Sequence, residues 1–224
     1  MNYSRTKILI TNLLILLFFS SVVPALAQEL ELEEFTIQSR NNAADFLSNL
    51  KRARGLEIET VGLFSTLETC RHHAPQLYYE YSVKNNIMLR RVSLAPRNPV
   101  TGSADAWEQA GLLKMQKMLK EGSQPNEMEI VELVQEPAAE YYRYLKPIVV
   151  EPGCLRCHGT EKDIGKEAAA AIKLFYPKDR ATGYKNSDLI GAVSIKRAKS
   201  IAPSPEHSET APPAEHSETA PPEH

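Results

Sequence analysis

The spacing of hydrophobic side chains in the first third of the chain predicts amphipathic helices. Apolar residues from Leu32 to Leu50 recur three or four positions apart, the period of one helical face, and predict a helix through about Lys51. A second stripe follows Gly55 and runs from Leu56 to Cys70. The same period places the Cys70 side chain on the buried face of that second helix.

Proline and asparagine predict where these helices stop. Pro75 is expected to interrupt the second helix, a short third helix follows over Gln76–Lys84, and the pair Asn85-Asn86 ends it.

The rest of the chain predicts strands with helical insertions. Ser103 or Asp105 is expected to cap a helix in which Trp107 and Met115 share one face, and Pro96–Ser103 is expected to be a loop. That methionine-containing stripe is interpreted as core, with a thioether metal ligand as the alternative. The other predicted elements are strands at Met88–Leu94, Glu127–Gln135, Tyr141–Val150 and Leu189–Lys196, and a helix at Ala168–Phe175. This order predicts an α+β domain with N-terminal helices packed on an antiparallel sheet.

The amino terminus has the layout of a secretory signal peptide. Arg5 and Lys7 precede an uncharged run of 16 residues, and the small-residue pattern Ala25-Leu26-Ala27 follows. An uncleaved anchor is the alternative, but a membrane span needs about 20 apolar residues. We therefore expect residues 1–27 to be removed before Gln28 and the mature chain to lie, without membrane attachment, in the periplasm or another extracytoplasmic compartment.

The carboxyl terminus is of low complexity. Residues 203–224 repeat a Pro/Glu/His-rich motif every nine residues and contain no aromatic or large aliphatic side chain, so we expect a disordered tail. Its three histidines could bind metal, but a solvated spacer is the preferred interpretation. The folded domain is then residues 28–202, about the size of one ordinary domain.

Charge excludes one class of partner. The chain has 26 Lys and Arg against 28 Asp and Glu, a net charge of -2. A protein that binds nucleic acid through its phosphates needs a basic surface, so nucleic acid is not an expected partner.

The motif Cys154-Leu155-Arg156-Cys157-His158 carries the most specific chemistry. Cys-x-x-Cys-His is the c-type haem attachment sequence, in which two thiols add to the vinyl groups on one edge of the porphyrin and the following histidine binds the iron. The motif predicts one covalently attached haem c, with thioethers from Cys154 and Cys157 and with His158 as the proximal ligand.

Two other uses of these cysteines remain alternatives. Cys154 and Cys157 could bind zinc together with Cys70 and with His72 or His73. They could also form a thioredoxin-like redox pair, although such a pair begins a helix within a βαβ unit and the flanking Pro152-Gly153 and Gly159 argue against that context. Export and the histidine after the second cysteine favour haem.

The chain also resembles a known family. The segments that carry the resemblance follow one another in order: Arg90 to Leu94, Pro96 to Pro99, Trp107-Glu108, Tyr144 to Pro147, Cys154 to Gly159, and Tyr176 to Ala192. Together they are similar to the exported c-type haem domains with a PAS-like fold, which occur alone or as the sensor part of histidine kinases. The resemblance implies a PAS-like antiparallel sheet and a six-coordinate haem with His158 on one side and Cys70, from an N-terminal helix, on the other.

Cys70 is also a candidate ligand from its own surroundings. It is the unassigned thiol of an exported chain, and the neighbouring Arg71, His72 and His73 would stabilise a thiolate. An inert buried cysteine is the alternative role, and His73 is the second choice of ligand.

These expectations favour a redox or small-gas sensor over an enzyme. A thiolate ligand lowers the reduction potential, and its loss on reduction would open a position for carbon monoxide or nitric oxide. The alternatives are a periplasmic electron-transfer cytochrome and, less favoured, a structural zinc domain. The expected partner is an unidentified redox protein or diatomic gas, and a homodimer through the N-terminal helices is a further hypothesis. Arg90, Arg91 and Arg97 could contact haem propionates or belong to solvated surface.

Overall fold

A computed structural model describes the backbone of residues 3–199 and the side chains from Leu26 onward. The predicted tail at 203–224 lies outside the described residues, as do the side chains of residues 1–25 in the predicted signal peptide. Within the described part of the chain, no helix combines the length and the apolar character that a membrane crossing requires.

The first helix, α1 (Tyr3–Asn85), is broken at Gly62, whose φ of 80° and ψ of 172° leave the helical region. A positive φ costs glycine little and other residues more, so glycine suits the break. The sequence-based boundaries are wrong here, because Gly55 and Pro75 both lie inside helical segments. The expected end of the helix at Asn85-Asn86 is confirmed.

The two arms of α1, before and after Gly62, pack against each other in opposite directions. The ring of Phe46 lies 5.6 Å from that of Tyr78 and 5.5 Å from that of Tyr81. The Tyr81 hydroxyl donates to Asp45 Oδ2 at 2.6 Å and accepts from Asn49 Nδ2 at 2.7 Å. The arms therefore form a helical hairpin with an aromatic seam.

Four strands form one antiparallel sheet of order β1-β4-β3-β2. The strands are β1 (Met88–Val92), β2 (Ile130–Gln135), β3 (Glu140–Val149) and β4 (Leu189–Ala198). Every pairing is antiparallel, with Tyr144 opposite Ile195 in the central pair. The α+β class and all four predicted strands are confirmed, although β2 begins three residues later than expected.

Helices cover both faces of the sheet. On one face, Tyr142 and Tyr144 of β3 pack with Phe35 and Phe46 of α1. On the other face, Leu145 packs with α3 (Ala106–Lys120). Alternation along β3 explains this division, because consecutive side chains point to opposite faces. The prediction that N-terminal helices pack on the sheet is confirmed.

Asp105 is the N-cap of α3. Its side chain accepts from the Glu108 amide at 2.9 Å, and the Glu108 carboxylate accepts from the Asp105 amide at 2.8 Å, which completes a capping box. Ser103 follows the short helix α2 (Pro99–Gly102), which occupies part of the predicted loop. Met115 is fully buried in the core, so the interpretation of the methionine stripe as core is confirmed.

The connection between β3 and β4 folds back onto α1. It contains a 3₁₀ turn (Pro152–Cys154), α4 (Leu155–His158) and α5 (Lys166–Phe175). Buried alanines of α5 pack against Leu67 of α1, and the rings of Phe64 and Phe175 meet edge to face at 5.3 Å. This packing brings the Cys154–His158 motif beside the second arm of α1.

Candidate functional site

The four predicted site residues line a single cavity. Cys70 comes from α1, and Cys154, Cys157 and His158 come from the turn and α4. The cavity holds about 1320 Å³ of space free of protein atoms, part of it open to solvent, and other walls come from β1 and the loop that follows it. Folding thus places Cys70 beside a motif that lies 84 positions further along the chain.

The local structure of the motif presents its cysteines together. Cys154 closes the 3₁₀ turn, Cys157 lies in α4, and residues three apart on a helix share a face. Cys157 also packs with the cluster formed by α1 and α5. Gly159 ends α4 where a Cβ atom would lie 2.7 Å from the Leu155 carbonyl oxygen, so only glycine fits there without displacement.

The topology around the motif does not match a thioredoxin-like redox pair. The strand that precedes the motif, β3, pairs antiparallel with both of its neighbours. A βαβ unit requires parallel strands, so β3 does not supply the context that a helix-capping redox pair uses.

His158 is held in one tautomer by a backbone carbonyl. Its Nδ1 lies 2.7 Å from the Ala181 carbonyl oxygen, and because a carbonyl only accepts, Nδ1 must carry the proton. Burial, followed by the charge of Arg97, lowers the pKa of His158 to about 3. The imidazole is therefore neutral at physiological pH, with the lone pair of Nε2 free to bind a metal at the cavity that His158 lines.

Cys70 lines the cavity, as its place on the helical stripe predicted. Burial, and after it Glu57, raises the pKa of the Cys70 thiol, while Arg91 and Arg54 act in the opposite direction. Of the three neighbours expected to stabilise a thiolate, Arg71 lines the cavity, whereas His72 and His73 are exposed and do not. The positive charges that lower the pKa of Cys70 come from Arg91 and Arg54.

The structure also excludes the alternative ligands on α1. The His73 side chain is 66% exposed and lies 3.5 Å from Glu57, and neither His73 nor His72 lines the cavity. Across the residues that the structure describes, no group of three or more His, Cys, Asp or Glu side chains is arranged to hold a metal ion. The zinc site built from Cys70, Cys154, Cys157 and one of these histidines therefore lacks its histidine at the cavity.

The three arginines singled out by the sequence have different environments. Arg90 pairs with Glu108 at 2.5 Å, away from the cavity. Arg91 lines the cavity and donates from Nε to the Tyr78 hydroxyl at 2.7 Å. Together with Arg54, Arg91 supplies positive charge to a cavity that is otherwise partly apolar.

Arg97 has a role that neither sequence-based alternative anticipated. Its Nη2 donates to the Cys157 carbonyl at 2.5 Å, and the guanidinium also pairs with Asp179 at 3.2 Å. Arg97 thus binds the backbone of the motif. No spacing rule in the sequence predicts this contact, although Arg97 lies in the segment Pro96–Pro99 that carries part of the family resemblance.

Taken together, these groups can hold a large planar cofactor. Two thiols on one short helical segment, one neutral imidazole nitrogen and a further thiol on α1 line one partly open cavity. Thiols and imidazole are the groups through which proteins hold a covalently attached haem.

Three comparisons with known proteins gave different results. A family model described as Tll0287-like: Tll0287 matches residues 22–197 of this chain. No curated protein matches. Among solved structures, the crystal structure of the cyanobacterial heme-protein Tll0287 is similar, with 21% sequence identity and a TM-score of 0.49, covering 71% of this chain and 96% of that one.

Proposed function

Because this chain belongs to the Tll0287-like family, we propose that it is an exported haem-binding protein of the c-type cytochrome class. The family carries the name of Tll0287, which is described as a cyanobacterial heme-protein. The observation that carries the proposal is the meeting of Cys154, Cys157, Cys70 and the unprotonated Nε2 of His158 at one cavity.

The donor set fits this cofactor. Cys154 and Cys157 would each hold it through a thioether, His158 would bind the iron through Nε2, and Cys70 would bind from α1. Arg91 and Arg54 would complement the negative charge of the propionates. When bound, the group supplies a one-electron redox couple and, if a ligand leaves, a position for a small diatomic molecule.

We propose that the physiological role is sensing of redox state or of carbon monoxide or nitric oxide, in the manner of a PAS-like sensor domain, without enzymatic turnover. The position of Cys70 supports this role. Cys70 lies on the second arm of α1, and Leu77, Tyr78 and Tyr81 of the same arm pack on the core of the sheet. A change in what Cys70 binds would therefore act directly on a helix packed against the sheet.

Electron transfer is the second candidate. The observation that favours it is that part of the cavity is open to solvent, since a carrier needs an accessible cofactor edge. Either role fits an extracytoplasmic location, with an unidentified redox protein or gas as the partner. A homodimer through the N-terminal helices remains part of the proposal.

Covalent attachment is the property to test first. We expect the full chain, expressed with its amino-terminal segment in a host that attaches haem c, to keep its haem on a denaturing gel and through acid-acetone extraction. Cys154→Ala combined with Cys157→Ala should abolish the haem-stained band, because both thioether sulfurs are lost. Cys70→Ala is the matched control and should keep the band. Colourless wild-type protein would refute the proposal.

A further inference from the structure

Arg97 joins the haem-attachment motif to a distant stretch of backbone. Its Nη2 donates to the Cys157 carbonyl at 2.5 Å and also lies 3.3 Å from the Ala181 carbonyl. The Ala181 carbonyl is the group that accepts the Nδ1 proton of His158 at 2.7 Å. A carbonyl oxygen has two lone pairs, so it can accept from Arg97 and His158 together.

Asp179 completes this arrangement. Its Oδ1 accepts from Arg97 Nε at 3.2 Å and from the Ala181 amide at 2.9 Å, and its Oδ2 lies 3.4 Å from Arg97 Nη2. The Arg97 and Asp179 side chains are only 13% and 8% exposed. A buried ion pair with several hydrogen bonds has little freedom to move, so Ala181 is held from both its amide and its carbonyl.

Residues 179–184, here called the anchoring segment, also bind the backbone of the motif directly. The Gly183 amide donates to the Gly159 carbonyl at 2.7 Å, and the Tyr184 amide donates to the His158 carbonyl at 3.0 Å. The anchoring segment therefore contacts His158 at its backbone and at its ring.

We propose that Arg97 and Asp179 are positioning residues that fix the anchoring segment and, through the Ala181 carbonyl, hold the His158 imidazole with Nε2 available to the cavity. The inference rests on the proposed function, since it assumes that His158 is the proximal iron ligand. The orientation of a metal-binding histidine is set by the hydrogen bond of its other nitrogen, and here that acceptor is fixed by a side chain from the β1–α2 loop.

The test uses haem-loaded full-length protein and two independent measurements. The first is hydrogen exchange at the Gly183 and Tyr184 amides, compared with the Tyr144 and Ile195 amides of the central strand pair. The second is the rate at which added imidazole replaces His158, followed in the optical spectrum.

Arg97→Gln should speed exchange at Gly183 and Tyr184 by about tenfold, the effect expected when hydrogen bonds to a charged group are lost, and should speed ligand replacement. Exchange at Tyr144 and Ile195 should not change. Arg97→Lys should give exchange and ligand-replacement rates between those of the wild type and Arg97→Gln, since lysine keeps the charge but lacks the planar fork of guanidinium donors.

Two further variants keep the test decisive. Arg97→Gln with Asp179→Asn removes both charges, so a folding failure caused by an unpaired buried carboxylate is avoided, and it should show the same two increases. Arg180→Gln removes an exposed charge from the anchoring segment itself and should behave as wild type.

The outcomes separate the inference from the proposed function. Faster exchange at all four amides would mean that Arg97 only stabilises the fold, and this would overturn the inference. Wild-type behaviour of the double variant would also overturn it while leaving haem attachment intact. If the wild-type chain carried no haem, the proposed function would fail and the assignment of Arg97 and Asp179 to a haem ligand would fail with it.

Discussion

Neighbouring groups shift the pKa of the Cys70 thiol in opposite directions. Burial and Glu57 raise its pKa, Arg91 and Arg54 act against them, and the net direction is upward. A free Cys70 thiol would therefore be protonated at neutral pH, because burial disfavours the charged thiolate. If Cys70 binds iron as a thiolate, its release would be accompanied by protonation, which suits a ligand that leaves when the iron is reduced.

Replacing Cys70 should change the redox properties of the site and leave its covalent chemistry intact. Cys70→Ala removes an anionic donor that stabilises ferric iron, so the midpoint potential should rise, and each rise of about 59 mV corresponds to about 1.4 kcal/mol. The ferric spectrum should lose its low-spin form or show a replacement ligand. Redox titration followed by optical spectroscopy measures both.

His73→Ala is the matched control for this measurement. His73 lies near Cys70 on α1, but its side chain is exposed and outside the cavity, so neither spectrum nor potential should change. An unchanged potential in Cys70→Ala would make Cys70 a core residue and would favour electron transfer over sensing.

Among the elements, α3 depends on a single capping residue. Asp105 binds the Glu108 amide and also pairs with Arg143 at 2.6 Å. Asp105→Ala should lower the free energy of unfolding by about 1–2 kcal/mol, the upper part of the range for losing an N-cap, because Arg143 loses a partner as well. Ser103→Ala should cost less, since the substitution removes one hydrogen bond, which the Ser103 hydroxyl donates to the Pro99 carbonyl, and no ion pair. Urea denaturation of the two variants distinguishes them.

The contribution of Asp105 should depend on pH. Burial raises the pKa of Asp105, but the Arg143 hydrogen bond and the Glu108 amide outweigh it and lower the pKa overall. A lowered carboxyl pKa in the folded state stabilises the fold above the unfolded pKa of about 3.9, and this stability is lost as the pH falls through the folded pKa. The stability difference between wild type and Asp105→Ala should therefore narrow below about pH 4. A difference that stays constant down to pH 2 would contradict this account.

At the scale of the whole molecule, the stability of the fold should depend on whether a cofactor fills the cavity. The second arm of α1 and the motif both line the cavity, and apolar side chains such as Leu63, Leu67 and Ile148 form part of its walls. Burying an apolar ring against them should stabilise the domain.

The haem-free variant, Cys154→Ala with Cys157→Ala, should therefore unfold at a lower temperature than the haem-loaded wild type. In a domain of this size each kcal/mol shifts the unfolding midpoint by about 2–4 °C, so a loss of a few kcal/mol predicts a decrease of about 10 °C. Thermal unfolding followed by circular dichroism measures the difference. Equal midpoints would mean that the cavity contents do not contribute to stability.

The sequence by itself determined the features that depend on neighbouring residues. The attachment motif, the helical stripe that includes Cys70, the four strands and a helix cap at Ser103 or Asp105 all follow from spacings of a few positions. Such spacings reflect the repeat of a helix or strand, which is a property of the local backbone.

Contacts between residues that are distant along the chain were decided by the tertiary structure. The place of the α1 break at Gly62, the solvent-facing His72 and His73, and the contact of Arg97 with Cys157 all result from packing between segments distant along the chain. Relative to alanine, glycine inside a helix costs about 1 kcal/mol and proline about 3 kcal/mol. At Gly55 and Pro75 the tertiary packing of the helix faces outweighs this cost. The same packing places Cys70 in one cavity with His158, two residues that the family resemblance had already paired.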